Sequence, residues 1–235
     1  MLVAILILAA WPSAAAAQHD GHTVHDEAIN SFVLFDQFEW QAGRGTDGFS
    51  WDAGGWIGKD RDRLWLRSEG TSDRGRLETG DLHLLYGRAI SPWWDVVAGI
   101  RQDVRPGPAQ TWAAFGIQGL APYRIEIEAT GYLGAHGRTQ LRLEAEYELL
   151  ITNRLVLQPL IEAELFGKDD PARGIGAGLS TMDVGLRLRY EIRRELAPYA
   201  GVTWHRTFFG TADQAEAAGQ PAGGARAVVG LRFWL

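Results

Sequence analysis

The sequence contains no cysteine, which excludes a disulfide framework, a thiolate metal site and thiol catalysis. It also lacks a basic tract. There are 23 Lys and Arg against 29 Asp and Glu, a formal net charge of −6, so the basic patch that nucleic-acid binding calls for is missing. Beyond the amino terminus there is no long apolar run, and the mean hydropathy is slightly negative. This excludes a helical membrane protein. It does not exclude a membrane barrel, whose strands hide their apolar half in alternation. What the chain does have is 29 glycines and 10 tryptophans in 235 residues. Glycine, aromatics and alternation together are expected of outer-membrane barrels, where aromatic girdles sit at the two interfaces.

The strongest local signal lies in residues 138–166. Leu141, Leu143, Ala145, Tyr147, Leu149 and Ile151 share one parity, and Arg142, Glu144, Glu146 and Glu148 share the other. Leu, Glu, Ala and Arg favour helices as a composition. A period of two held over this length instead predicts a strand with one apolar and one charged face. Thr152-Asn153-Arg154 predicts a tight turn. After it, Leu155, Leu157, Ile161, Ala163 and Leu165 alternate with Gln158, Glu162 and Glu164. Strands of about 9–11 residues are those that cross a bilayer, whereas soluble sheets use about 5–6.

Residues 1–17 predict a signal peptide. An apolar core runs from Leu2 to Trp11, Pro12 breaks it, and Ala15-Ala16-Ala17 offers small-residue cleavage before Gln18, although no Lys or Arg precedes the core. Residues 18–31 predict a short disordered periplasmic tail. There His19, His22 and His25 with Asp20 and Asp26 offer imidazole and carboxylate ligands of the kind that bind copper, zinc or nickel. Residues 32–235 predict about twelve alternating runs. The first two are Phe32–Gln41 and Phe49–Gly58, with a loop over Ala42–Gly48, and the last is Ala225–Leu235. Thr71–Gly75, Gly167–Thr181 and Gly210–Gly224 read as loops. Ala121-Pro122-Tyr123 recurs as Ala197-Pro198-Tyr199, which predicts a proline-shaped turn with tyrosine at the membrane interface. Joins near residues 59, 91, 121, 153 and 195 are short, and those near 45, 73, 106, 170 and 215 mostly longer, while that near 136 is short. The fold class predicted is all-β: a transmembrane antiparallel up-and-down barrel, its amino terminus on the periplasmic side.

In such a barrel the charged parity faces the lumen, because a Lys or Arg facing lipid at the midplane costs about 2–4 kcal/mol. Glu126, Glu128, Glu144, Glu146, Glu148, Glu162 and Glu164 are expected to line one wall. Arg187, Arg189, Arg226 and Arg232 are expected to line the next. Two readings stand: ion pairs that fill a small barrel, or a cation path along the acidic side. Carboxylates alone do not select copper, so His83 and His205, which share the lumen parity, are added metal candidates beside their alternative as hydrogen-bonded fillers. A hydrolase triad from Ser180, His205 and Asn153 fails, because Asn153 belongs to a turn a bilayer thickness away from Ser180. No enzyme is expected.

Five stretches carry a resemblance: Asp36-Gln37-Phe38-Glu39-Trp40, Leu85 to Pro92 (LYGRAISP), Gly116 to Tyr123 (GIQGLAPY), Gly185 to Ile192 (GLRLRYEI) and Ala197-Pro198-Tyr199. With them the chain resembles the copper resistance protein B family of outer-membrane proteins. The resemblance implies a barrel in copper tolerance that binds copper ions and aids their export or sequestration, with outer-membrane lipids as surroundings. Whether a periplasmic copper-binding protein delivers the metal is left open by the sequence. Family members carry a longer amino-terminal segment rich in Met, His and Asp, reduced here to His19–Asp26 without methionine, and tend to end on an aromatic residue where this chain has Leu235. The alternative function is a general small porin without metal preference.

Overall fold

The computed structural model of the chain describes residues 28–43 and 46–235, apart from the side chain of Thr46. The predicted signal peptide and most of the predicted tail lie outside the described residues. The strands are β1 (Asn30–Gly43), β2 (Thr46–Gly58), β3 (Asp62–Asp73), β4 (Arg76–Ser91), β5 (Trp94–Arg105) and β6 (Gln110–Ala121). They continue as β7 (Ile125–Gly134), β8 (Arg138–Tyr147), a two-residue β9 (Leu149–Leu150), β10 (Leu155–Phe166), β11 (Gly178–Tyr190), β12 (Leu196–Thr207) and β13 (Gly223–Trp234). β8 and β9 make one stave, interrupted at Glu148. Each stave pairs antiparallel with the next, and β13 pairs back onto β1, so twelve staves close into a ring. A closed sheet satisfies every ladder hydrogen bond and leaves no edge, which is what lets strands cross a bilayer.

The two faces of the ring separate as the alternation requires. Leu66, Leu84, Ile100, Phe115, Leu143 and Leu186 stand exposed on the outside, where lipid would cover them. Their sequence neighbours Arg67, Leu85, Arg101, Ala114, Arg142 and Arg187 point into the lumen and are largely buried. Exposed aromatics cluster toward the rims, with Tyr86, Trp93, Tyr123 and Tyr190 at the end of the short turns and Trp40 and Trp204 toward the other. The charged faces of the 138–166 hairpin sit inside as the period of two predicts.

Several expectations need correcting. Residues 42–43 and 46–48, expected in a loop, belong to strands: pairing runs on to Gly43 opposite Thr46. Glycine interrupts the apolar pattern there, but ladder hydrogen bonds need no side chain. The loop predicted over 71–75 shrinks to Arg74 and Gly75, with φ of 46° and 78°. Two central residues at positive φ give the hairpin twist that matches the strands. The predicted difference in connection length therefore survives mainly in 167–177 and 208–222. The latter, read as a loop, holds the helix α1 (Phe209–Ala217), and β11 begins at Gly178 rather than Met182.

Two lumen residues also escape the predicted pattern. β1 does not alternate strictly over Phe32–Gln41: its register shifts between Phe35 and Gln37 against β2, and between Phe35 and Glu39 against β13. The extra residue brings Asp36 and Glu39, of opposite parity, to the same side. The two Ala-Pro-Tyr segments part company as well. Tyr123 stands 87% exposed in the turn after β6, whereas Tyr199 is 4% exposed inside the barrel, its hydroxyl donating to Glu39 at 2.9 Å. Ala121 ends a strand, but Ala197 lies within β12, so the second tyrosine takes lumen parity instead of the interface.

The long-loop end is capped by its own connections. Asp170 lies 3.4 Å from Arg138 and 3.5 Å from Arg173. Arg173 donates to Gln110 and to the Pro108 carbonyl, tying the 167–177 loop to the loop before β6. On its other flank the Thr211 hydroxyl of α1 accepts from Gly176 N–H at 2.8 Å and meets the Ser180 hydroxyl at 2.9 Å.

Candidate functional site

Side chains pack the middle of the lumen. Leu85, Val97, Trp112, Ala114 and Tyr132 form a packed cluster, all lumen-facing. Beside it, the Trp112 indole donates to Asp103 at 2.7 Å, and Arg101 reaches Asp103 at 2.6 Å while stacking over Tyr132. On the facing wall Glu39 is 0% exposed and accepts two hydrogen bonds from Arg187, each 3.0 Å long.

A cavity of about 430 Å³ remains at the short-turn end, flanked by Pro92 and Trp93 of one turn, Arg63 after another and Leu120 and Glu126 around a third. We call it the vestibule. Asp36, Asp52, Glu69 and Asp95 line it from β1, β2, β3 and β5, and Glu126, Glu128, Glu144 and Glu146 from β7 and β8. Against these eight carboxylates its lining holds three guanidiniums, Arg63, Arg67 and Arg232. Phe32, Trp65 and Trp93 supply aromatic wall.

Two arginines tie opposite walls together at the floor. Arg67 on β3 crosses to β7, where it meets both Glu128 oxygens at 2.6 and 2.7 Å, and it also donates to Gln118. Arg142 on β8 crosses the other way to Glu69 at 2.6 Å, and on its own wall holds Glu162 at 2.8 Å and Glu144 at 3.5 Å. Bidentate and clustered guanidinium–carboxylate contacts of this kind are stronger than neutral hydrogen bonds and fix geometry.

The glutamates expected to form an acidic wall are unevenly compensated. Glu126 and Glu146 are direct cross-strand partners, as are Glu128 and Glu144, and Glu144 and Glu162. Glu164 accepts from Gln140 at 2.9 Å and from the Thr181 hydroxyl at 3.3 Å. Glu148 sits 2.6 Å from Arg189. The predicted basic wall mostly serves other partners: Arg187 pairs Glu39, Arg226 donates to Gln41 at 2.9 Å, and Arg232 donates to Asp36 at 2.6 Å. The expectation that these strands neutralise the glutamates holds only for Arg189. Arg67 and Arg142 do most of that work. Their lumen parity is legible in the sequence, but a pairing across the lumen leaves no trace in sequence spacing.

The histidines are kept apart. His19, Asp20, His22, His25 and Asp26 lie outside the described residues. His83 is 2% exposed, with Nε2 3.4 Å from Asp81 and its ring edge-on to Tyr132. In register it stands between Arg67 and Arg101, two fixed positive charges that oppose a metal cation there. His205 contacts Asp183 through Nδ1 at 2.9 and 3.0 Å, on a different part of the ring. Among the described residues no three His, Cys, Asp or Glu side chains converge to hold a metal ion. Ser180 and Asn153 occupy opposite ends of the barrel, Ser180 beside α1 and Asn153 in the turn after β9.

A twelve-stave closed ring with an apolar belt, aromatic rims and a filled ionic lumen defines an outer-membrane β-barrel protein. Among solved structures the chain is similar to the NanC porin, with a TM-score of 0.55 at 9% identity over 86% of this chain and 98% of that one. The KdgM porin gives 0.50 at 9% identity over the same shares. At that identity the likeness is one of fold. The profile of the copper resistance protein B precursor (CopB) family matches residues 29–235. A copper resistance protein B homolog of Pseudomonas syringae pv. tomato is 52% identical over 95% of this chain and 76% of its own length. The copper resistance protein B of Escherichia coli is 50% identical over 94% and 75%. The chain belongs to the copper resistance protein B family.

Proposed function

We propose that this barrel contributes to copper resistance by capturing copper ions at the periplasmic end of its lumen, for sequestration or for export. In this reading residues 1–17 are a cleaved leader and residues 18–31 a periplasmic tail. β1 begins at the same end as the vestibule, and His19, His22 and His25 of the tail offer imidazole ligands for copper. The observation that carries the reading is the excess of carboxylates around the vestibule, eight in its lining against Arg63, Arg67 and Arg232 there and Arg142 behind Glu69 and Glu144, facing the short-turn end. A negative cavity with low-dielectric walls concentrates cations. The filled midsection favours capture over free diffusion.

Copper binding by the purified barrel with and without residues 18–30 tests the tail, and the triple variant Glu144→Gln, Glu146→Gln, Glu148→Gln tests the wall. Truncation is expected to weaken binding, and the triple variant to lower copper tolerance while inserting normally. No binding above background by either form would end the copper reading. The likeness to porins supports a second reading, a general pore. Bilayer conductance separates the two, since a filled lumen predicts little ion current and a general porin a steady one.

A further inference from the structure

The short-turn end of the barrel carries a collar of cations that the lumen does not use. Lys59 and Arg61 lie between β2 and β3, Arg124 between β6 and β7, Arg154 just before β10, and Arg193 and Arg194 between β11 and β12. All six are exposed. Among the described residues none of them forms an ion pair, whereas Arg63, Arg67 and Arg187 in the lumen each hold a carboxylate. Of the carboxylates in the same connections, Glu191 is turned to Arg189 at 3.6 Å, which leaves Asp60 and Glu195. The opposite end has the reverse balance. Its described connections hold Arg74, Lys168 and Arg173 against Asp169, Asp170, Asp213 and Glu216.

The cations of the collar stand beside apolar side chains that continue the lipid-facing belt. Tyr123 precedes Arg124, Ile151 shares a tight turn with Arg154, and Ile192 precedes Arg193; all three apolar residues are more than half exposed. On β4 the outer face runs Leu82, Leu84, Tyr86 and then Arg88. There the belt gives way to charge within one two-residue step, about 7 Å. The Arg88 side chain keeps 60% of its exposure, with Asp62 3.9 Å away. A guanidinium on the outer wall is tolerated at headgroup level, where the cost of charge nearly vanishes.

We propose that this collar binds the phosphate groups of anionic phospholipids in the leaflet around the short-turn end. The apolar member of each pair sits among the acyl chains, and the cation beside it reaches the phosphate. Guanidinium and phosphate make charge-assisted, frequently bidentate hydrogen bonds. Clustered Lys and Arg at a membrane surface select acidic lipids. The pairing with exposed apolar side chains favours lipid over a soluble polyanion, which has no use for Tyr123, Ile151 or Ile192. The proposal requires only that the barrel spans a bilayer, and it is independent of copper.

Spin-labelled phosphatidylglycerol and spin-labelled phosphatidylcholine, each added to phosphatidylcholine vesicles that hold the barrel, test it. The EPR fraction immobilised by the protein gives their relative association constant. Phosphatidylglycerol is expected to be favoured at least about threefold, and to lose that preference in Arg124→Gln/Arg154→Gln/Arg193→Gln/Arg194→Gln. Arg76→Gln/Arg105→Gln/Lys168→Gln/Arg206→Gln removes the same charge at the long-loop end and is expected to keep it. Heat-modifiable gel mobility reports folding. Should the first variant fail to insert, added NaCl tests the parent alone, since screening is expected to lower the preference. Equal constants in the parent, or a preference that salt leaves unchanged, overturn the proposal and leave the collar to an acidic protein. An equal loss in both variants overturns the location, because net charge alone then explains it. A preference abolished by inorganic phosphate at matched ionic strength overturns lipid as the ligand in favour of a free anion.

Discussion

Replacing Arg142 by methionine removes one guanidinium from three carboxylates. Glu69 at 2.6 Å, Glu162 at 2.8 Å and Glu144 at 3.5 Å would then face one another with no fixed positive charge between them. Breaking a buried ion pair by deleting one partner costs about 3–5 kcal/mol. The Glu side chains keep 25%, 21% and 28% of their exposure, so the cavity returns part of their hydration. That places the expected loss near the low end, about 3 kcal/mol, or roughly a hundredfold in the unfolding equilibrium. Urea unfolding in lipid vesicles, followed by the fluorescence of the tryptophans, measures it. Adding Glu69→Gln and Glu162→Gln to Arg142→Met is expected to restore more than half of the loss, because the damage comes from stranded negative charge rather than missing bulk. The reasoning is refuted if Arg142→Met lies within about 1 kcal/mol of the parent, or if the two Gln substitutions deepen the loss.

Two further outcomes follow from other parts of the barrel. Arg173→Ala is expected to free the 167–177 loop from Gln110 and Pro108, seen as faster proteinase K cleavage there with the urea midpoint little changed; equal cleavage rates would mean that the loop is held elsewhere. Gly119→Val is expected to abolish folding, since a Cβ at that position would lie 2.0 Å from the Trp93 carbonyl, whereas Gly224→Ala, with nothing within 4 Å, is expected to fold as the parent does; refolding yield on a gel decides both.

Strand identity was legible wherever side chains alternate, as along Leu141 to Tyr147, because the outer and inner faces of a spanning sheet impose opposite chemistry at every step. It was illegible where the backbone alone carries the pairing, as at Gly43 and Gly48, or where a bulge shifts parity, as between Phe35 and Glu39. The helix over Phe209–Ala217 lies among small and polar residues with no apolar stripe to reveal it. For the candidate site, spacing located the glutamates of β7, β8 and β10 and their common side. It could not say which of them Arg67 and Arg142 would reach, since β3 lies across the lumen from β7 and β8. Nor could it foresee that the guanidiniums on β11 and β13 would turn mostly toward β1.

Every stave but one pair is joined to its neighbour through a connection close in sequence, so eleven of the pairings can be laid down one hairpin at a time. The remaining pairing, β1 with β13, sets Leu34 opposite Trp234 and is a cyclisation. Loop-closure entropy rises only slowly with length, so distance along the chain is not what makes this step demanding. Geometry is: a one-residue slip in any hairpin carries through the staves that follow and reverses which side chains meet lipid at the last one. The seam therefore acts as the ring's checksum, and a defect placed far from it would be read out there, as a barrel that fails to close.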